Sequence, residues 1–97
     1  MPTHIVLYKL TEQGIKNIKE APRRIEETIK GTEAMGIKLL SFYSVMGEYD
    51  YVAITESPSD EVTMSTLLSL GSAGNVRTTT LKAFTREEFA EIVKKMP

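Results

Sequence analysis

The sequence predicts an α+β domain in which a four-stranded antiparallel sheet carries two main helices on one face. Runs rich in β-branched and aromatic residues alternate with helical apolar stripes, in the order β-α-β-β-α-β. The two middle runs, within residues 39–56, are separated only by a glycine-containing turn, which is typical of a β-hairpin. The length of 97 residues fits a single domain, residues 1–97.

The first strand is predicted over residues 4–10, a nearly continuous apolar and aromatic run that suits the centre of a sheet. Thr11 follows, where it can cap a short helical turn. Apolar residues then recur at helical spacing around Pro22, which cannot lie unperturbed inside a helix. We therefore expect a short helix to end before Pro22 and the first main helix to continue from it to residue 35. Gly36 is expected to end that helix in the left-handed conformation.

The central hairpin is predicted to turn at Gly47 and Glu48, which pairs Tyr43 with Val52. Strand residues alternate between faces, so this register places one set together: Ile37, Leu39, Tyr43, Val45, Val52 and Ile54. The other face would carry Leu40, Phe42, Met46, Tyr49, Tyr51 and Ala53. Both sets are largely apolar, whereas a sheet with one solvated face should alternate apolar and polar residues. Both faces of the hairpin are therefore expected to be covered.

The second main helix is expected to begin at Ser59 or Asp60 and to end within residues 71–74. Its predicted buried side consists of Val62, Met64, Leu67, Leu68 and Leu70. The fourth strand follows over residues 76–84. Thr85 then opens an additional terminal helix with a capping box.

This order of elements is the ferredoxin-like plan, in which both main helices pack on one face of the sheet. The other face would stay bare within the monomer and would include Phe42 and Tyr51. A large bare apolar patch is unusual on a soluble monomer. We therefore expect two chains to pack sheet to sheet as a symmetric homodimer, with higher oligomers left open.

Composition narrows the range of functions. The net charge is −1 and no basic stripe with interleaved aromatics occurs, so a nucleic-acid partner is not expected. The chain has no cysteine and a single histidine, so neither a metal site nor a cofactor is predicted. No apolar run approaches the roughly 20 residues that span a bilayer, and no signal peptide is evident. A cytoplasmic protein without a membrane partner is the expectation.

Five polar side chains are candidates for binding a small molecule: His4, Tyr49, Asp50, Glu56 and Arg77. Tyr49 and Asp50 could offer a phenol and a carboxylate at the rim of a pocket, or Asp50 could accept backbone N–H groups and fix the turn. Arg77 could hold an anion, or could form an ion pair with Glu56 or Asp50. His4 could be a general base or an ordinary strand residue.

Aromatic residues could also contribute to a site, because Tyr8, Tyr43 and Tyr51 could line a cavity with Phe42. Aromatic side chains on a sheet face more often belong to a core or an interface.

Several short motifs, in order along the chain, carry a resemblance to a known family. They are Thr11 with Gly14, Phe42-Tyr43, Gly47-x-Tyr49-Asp50, Glu56-x-Pro58, Gly74-Asn75-Val76-Arg77-Thr78 and Ala83-Phe84. With these motifs the chain resembles the GYD domain family. The resemblance implies a dimeric α/β barrel of ferredoxin-like subunits, and it brings no settled activity.

Two functions remain open from the sequence. The first is a dimeric module for small-ligand binding or assembly, without catalysis. The alternative is a small cofactor-free enzyme, oxygenase-like or isomerase-like, which rests on analogy of fold. An enzyme would require His4 or Asp50 to converge with Arg77 or a tyrosine in one pocket.

Overall fold

The computed structural model describes residues 1–97 and contains one antiparallel sheet in the strand order β2-β3-β1-β4. Its strands are β1 (Thr3–Leu10), β2 (Lys38–Ser44), β3 (Tyr51–Glu56) and β4 (Val76–Ala83). The helices are α1 (Glu12–Lys16), α2 (Ala21–Ala34), α3 (Asp60–Ser72) and α4 (Arg86–Lys94), with a 3₁₀ turn at Ile18–Glu20. The predicted ferredoxin-like order and the additional terminal helix are confirmed, and β1 lies inside the sheet between β3 and β4.

The helices begin at the residues that local chemistry favours. Thr11 and Ser59 accept the first free N–H groups of α1 and α3, those of Gly14 at 3.1 Å and Val62 at 3.2 Å. Pro22 lies in the first turn of α2, where its missing N–H leaves no helical hydrogen bond unmade. Thr85 forms the predicted capping box of α4.

The hairpin keeps the predicted pairing of Tyr43 with Val52 but does not turn in two residues. The strands end at Ser44 and Tyr51, so residues 45–50 form a longer loop. Val45 still donates to the carbonyl of Asp50 at 2.9 Å, in the predicted register, and the N–H of Asp50 donates to the carbonyl of Tyr8 on β1 at 2.8 Å, but no further pairing closes the loop. The prediction of a tight turn at Gly47 and Glu48 was therefore wrong.

A β-bulge at Leu40 changes which side chains share a face. The register shifts between the pair Leu39–Thr55 and the pair Ser41–Ile54, so Leu40 has no direct partner. The extra residue reverses the alternation, and Leu39 therefore lies on the same side as Ala53 rather than with Tyr43. The predicted grouping of Ile37 and Leu39 with Tyr43 was wrong for this reason.

The main helices cover the face that carries Val6, Tyr8, Phe42, Tyr51 and Ala53. The sequence prediction had placed Phe42 and Tyr51 on the bare face, and this was wrong because α2 and α3 pack on the opposite side from the one assumed. Val6 and Ala53, at 3% and 2% exposed, are the most deeply buried apolar residues and lie on this face, and the buried His4 belongs to the same face.

The open face of the sheet is the surface formed by Ile5, Leu7, Tyr43, Val52, Ile54 and Leu81. Tyr43 is 62% exposed and Leu81 is 49% exposed, while the other four are half-buried. No helix of the chain covers these residues. An apolar face therefore remains uncovered, although its members are not those predicted.

Helix α3 also differs from its predicted orientation. Met64 and Leu68 are exposed, whereas Thr63 is buried, and Leu67 and Leu70 line the same cavity as residues of α2. Asp60, in the first turn of α3, contacts His4 and Lys82 of the sheet. The predicted buried side was therefore right for Val62, Leu67 and Leu70, which are half-buried, and wrong for Met64 and Leu68.

Helix α4 projects from the rest of the chain. The radius of gyration is 14.8 Å, against about 12.5 Å for a compact domain of this length, and no other element packs extensively on α4. Its apolar stripe is exposed along its whole length: Phe89, Ile92, Val93 and Met96. None of the helices has the length and apolarity that a membrane-spanning segment requires.

Candidate functional site

The single histidine lies in a polar network between β1, β4 and the start of α3. His4 is 4% exposed, and its Nε2 lies 3.1 Å from Oδ1 of Asp60. The other carboxylate oxygen of Asp60 accepts a hydrogen bond from Lys82 Nζ at 3.0 Å. Lys82 pairs with His4 across the β1–β4 ladder, so the sheet register brings these groups together.

The network continues behind His4 into the interior. Thr63 Oγ1 lies 3.4 Å from His4 Nδ1 and donates to Ser57 Oγ at 2.8 Å. The Ser57 hydroxyl, which is fully buried, donates to the carbonyl of Ser59 at 2.8 Å. These bonds fasten the turn before α3 to the first strand. Because nearly every buried polar atom here has a partner, the network stabilises the fold.

Within this network, the carboxylate of Asp60 has a pKa that differs from its ordinary value. The hydrogen bond from Lys82 holds the pKa of Asp60 below its ordinary value, while partial desolvation opposes this effect. A smaller contribution comes from His4. The carboxylate therefore stays ionised at neutral pH and links the two basic side chains.

A small hollow of about 250 Å³ adjoins the network. Its wall includes His4, Asp60, Lys82 and Thr80, and the buried hydroxyl of Thr80 has no hydrogen-bond partner. Sequence reasoning missed Asp60 and Lys82 as partners of His4, because they lie in other elements, far away along the chain. A correct guess that β1 pairs with β4, in this register, would have placed Lys82 beside His4.

The residues of the hairpin loop lie at the opposite end of β1. The carboxylate of Asp50 accepts the backbone N–H of Leu10 at 2.8 Å, which is the structural role that sequence analysis left open. Lys9 lies over the Tyr49 ring, with Nζ 5.7 Å from the ring centroid. Asp50 therefore holds the loop against β1, and Tyr49 packs beside it.

Glu56 and Arg77 are far apart on the sheet. Glu56 pairs with Thr3 at the start of β1, whereas Arg77 pairs with Lys9 near its end. Neither side chain forms an ion pair, so of the two alternatives left open for Arg77, the ion pair with Glu56 or Asp50 is absent.

The five predicted binding residues divide between the two ends of the sheet. His4 and Glu56 lie near the start of β1, whereas Tyr49, Asp50 and Arg77 lie near its end. His4 therefore does not converge with Arg77, as one form of the enzyme hypothesis requires. Binding of a small molecule by any one of them remains a prediction.

A cavity lies between the helix-covered face of the sheet and the two helices α2 and α3. It measures about 380 Å³, and fifteen of its 23 lining residues are hydrophobic. Tyr8, Phe42 and Tyr51 form an aromatic cluster in its floor, with ring centroids 5.5–6.4 Å apart. Three of the four aromatics suggested by the sequence therefore line a cavity, while Tyr43 lies on the open face.

A family model confirms the resemblance seen in the motifs. The GYD domain model matches residues 4–93, so the chain belongs to the GYD domain family. Among proteins with a described role, a Thermus thermophilus protein named glutamine synthetase and cystathionine beta-lyase binding protein is 37% identical over 84 residues. That alignment covers 86% of this chain and 88% of the relative.

Solved structures confirm the fold. The leucine response regulatory protein of Mycobacterium tuberculosis superposes with a TM-score of 0.64 at 24% identity, over 87% of this chain. The feast or famine regulatory protein of the same organism gives 0.65 at 22% identity, over 88% of this chain. This chain spans about half of both regulators, 51% of each. The crystal structure of a Thermus thermophilus protein gives 0.56 at 25% identity, covering 88% of this chain and 95% of that one.

Proposed function

We propose that this protein is a homodimeric assembly module that binds other proteins and has no catalytic activity of its own. The observation that carries the proposal is the uncovered apolar face of the sheet. The relative from Thermus thermophilus, by its name a protein that binds two enzymes, supports a binding role. We extend this role to the present chain as part of the proposal.

The open face of the sheet is the surface proposed for self-association. Its centre consists of Leu7 and Ile5 on β1, flanked by Val52, Ile54 and Leu81 on the adjacent strands. Charged residues lie at its ends, Lys9 and Arg77 at one and Glu56 at the other. An apolar centre with a polar rim is the usual anatomy of a stable interface. Two copies packed through this face would form the dimeric α/β barrel that the family resemblance implies.

Helix α4 is the surface proposed for the partner protein. An isolated helix of nine residues is marginal in water, because most helical stability comes from packing an apolar face. The stripe of α4 finds no such packing within its own chain. Amphipathic helices of this kind bind apolar grooves on other proteins. The partner class we propose is a metabolic enzyme, with glutamine synthetase and cystathionine beta-lyase as the first two to test.

The test is direct binding of the purified protein to those two enzymes from its source organism, measured by biolayer interferometry. The variant Phe89→Ser/Ile92→Ser disrupts the stripe, and Lys94→Ser on the solvated side of α4 is the matched control. We expect saturable binding of at least one enzyme, weakened about tenfold or more by the stripe variant and unchanged by the control. Absence of binding to both enzymes would refute the choice of partners. Equal binding by both variants would refute the role of α4.

A further inference from the structure

The cavity beneath α2 and α3 contains phenol groups without protein partners. Tyr51 is 7% exposed and Tyr8 is half-buried, and both line the cavity. Neither hydroxyl takes part in any hydrogen bond of the chain, although the smaller buried hydroxyls of Ser57 and Thr63 are paired. Thr80 Oγ1 is the one fully buried side-chain polar atom without a partner, so both phenol hydroxyls reach open space and are free to donate to a molecule that enters the cavity.

The size and shape of the cavity also suit a small molecule. The cavity is partly open to solvent, so a molecule can enter it without unfolding of the chain. A space of about 380 Å³ lies within the range of small-molecule sites, which begins at about 300 Å³. Water would fill it poorly, because each ordered water needs two to four polar neighbours and two thirds of this wall is apolar.

We propose that this cavity binds a small, flat, neutral apolar molecule that carries one hydrogen-bond acceptor, such as a carbonyl oxygen. The aromatic cluster of Tyr8, Phe42 and Tyr51 would contact its flat body. One or both phenol hydroxyls would donate to its acceptor.

The charges near the cavity favour a neutral molecule. Arg24 and Glu27 both border it, so one basic and one acidic group offset each other. Arg24 also donates to the carbonyl of Asn17 at 3.2 Å, away from the aromatic cluster. Burial raises the pKa of Tyr8, so its hydroxyl keeps its proton at neutral pH and acts as a donor.

This site is independent of the proposed dimer, because the cavity and the open face lie on opposite sides of the sheet. A ligand here would fill the interior without competing for the interface. A variant that loses ligand binding should therefore still dimerise, and a variant that loses dimerisation should still bind the ligand.

The experiment compares two probes of the same shape, 2-acetylnaphthalene and its hydrocarbon isostere 2-isopropenylnaphthalene. Binding to the full-length protein is followed by ¹H–¹⁵N chemical shifts as each probe is titrated. We expect one saturable site per chain, with shifts confined to residues around the cavity. The ketone should bind about three- to tenfold more tightly than the hydrocarbon, which is the usual effect of one hydrogen bond.

Conservative variants assign the hydrogen bond. Tyr51→Phe and Tyr8→Phe each remove one hydroxyl from the cavity and leave the ring, so folding should be preserved. Tyr43→Phe removes the same group from the open face and is the matched control. At least one cavity variant should abolish the preference for the ketone, and the control should keep it.

Three results would overturn the proposal. One is the absence of saturable shifts for either probe. The second is equal affinity for both probes in the wild type and in every variant. The third is binding only after removal of residues 86–97, which would mean that α4 of a second copy occupies the cavity.

Discussion

The two faces of the sheet are built from alternate residues of the same strands, yet they have different surroundings. Val6 lies between Ala53 and Thr80 under the helices and is 3% exposed. Its neighbour Leu7 lies between Val52 and Thr79 on the open face, where no element of the chain covers it. Both residues are apolar, so apolarity alone does not decide which face the helices take. The covered face holds the monomer together, and the open face remains available for association.

The largest expected difference between the faces comes from placing an aspartate at each of these neighbouring positions. Val6→Asp should cost more than about 4 kcal/mol and unfold the domain, because it buries an unpaired charge. Leu7→Asp should leave a folded chain, because its carboxylate can reach water. Circular dichroism and urea unfolding of the two variants measure the contrast. Equal destabilisation would show that the faces do not differ as described.

A smaller effect is expected on the covered side, where α1 meets the start of β4. Gly14 is buried, and a side chain there would collide with the carbonyl oxygen of Asn75, which accepts the N–H of Thr11 at 3.0 Å. Gly14→Ala should therefore lower the free energy of unfolding by about 1–3 kcal/mol.

The matched control is Gly31→Ala on the solvated side of α2, where an added methyl group meets nothing. Alanine is the better helix former, so this variant should be more stable by about 0.5–1 kcal/mol. Opposite signs for the two variants in urea unfolding would support the placement of both glycines. A gain at Gly14 would contradict it.

The smallest expected effect concerns acid stability at the edge of the covered face. The pKa of Asp60 is lowered in the folded protein, chiefly by Lys82. Its carboxylate therefore stabilises the fold above its ordinary pKa of 3.8, and this contribution disappears as the pH falls through the lower, folded value. The difference in unfolding free energy between the wild type and Asp60→Asn should therefore become smaller as the pH is lowered from about 6 to about 3.

Glu61→Gln is the control for this measurement, because Glu61 follows Asp60 in α3 and forms no ion pair. The difference between the control and the wild type should change less over the same pH range. An acid profile of Asp60→Asn that parallels the wild type would show that the Lys82 contact does not stabilise the fold.

The sequence was sufficient for features that depend on neighbouring residues. The caps at Thr11, Ser59 and Thr85, the break at Pro22 and the left-handed Gly36 all follow from local chemistry, and the structure confirms them. The element order then led to the ferredoxin-like plan, because few topologies accommodate it.

Features that depend on distant residues could not be predicted. The bulge at Leu40 and the longer hairpin loop lie where β3 pairs with β2 on one side and β1 on the other, and β1 is distant in the sequence. One inserted residue reversed the faces of Ile37 and Leu39, and the helices settled on the side that had been expected to stay bare. The partners of His4, Asp60 and Lys82, lie on other elements, so residue spacing along the sequence could not predict them.

The central claim is that the open face of the sheet joins two copies of the chain, and its most direct test is molar mass by light scattering after gel filtration. At micromolar concentration the wild type should have twice the 10.8 kDa of one chain, and folded Leu7→Asp should have the mass of one chain. A wild-type protein that stays at 10.8 kDa, or a Leu7→Asp variant that remains dimeric, would contradict the account.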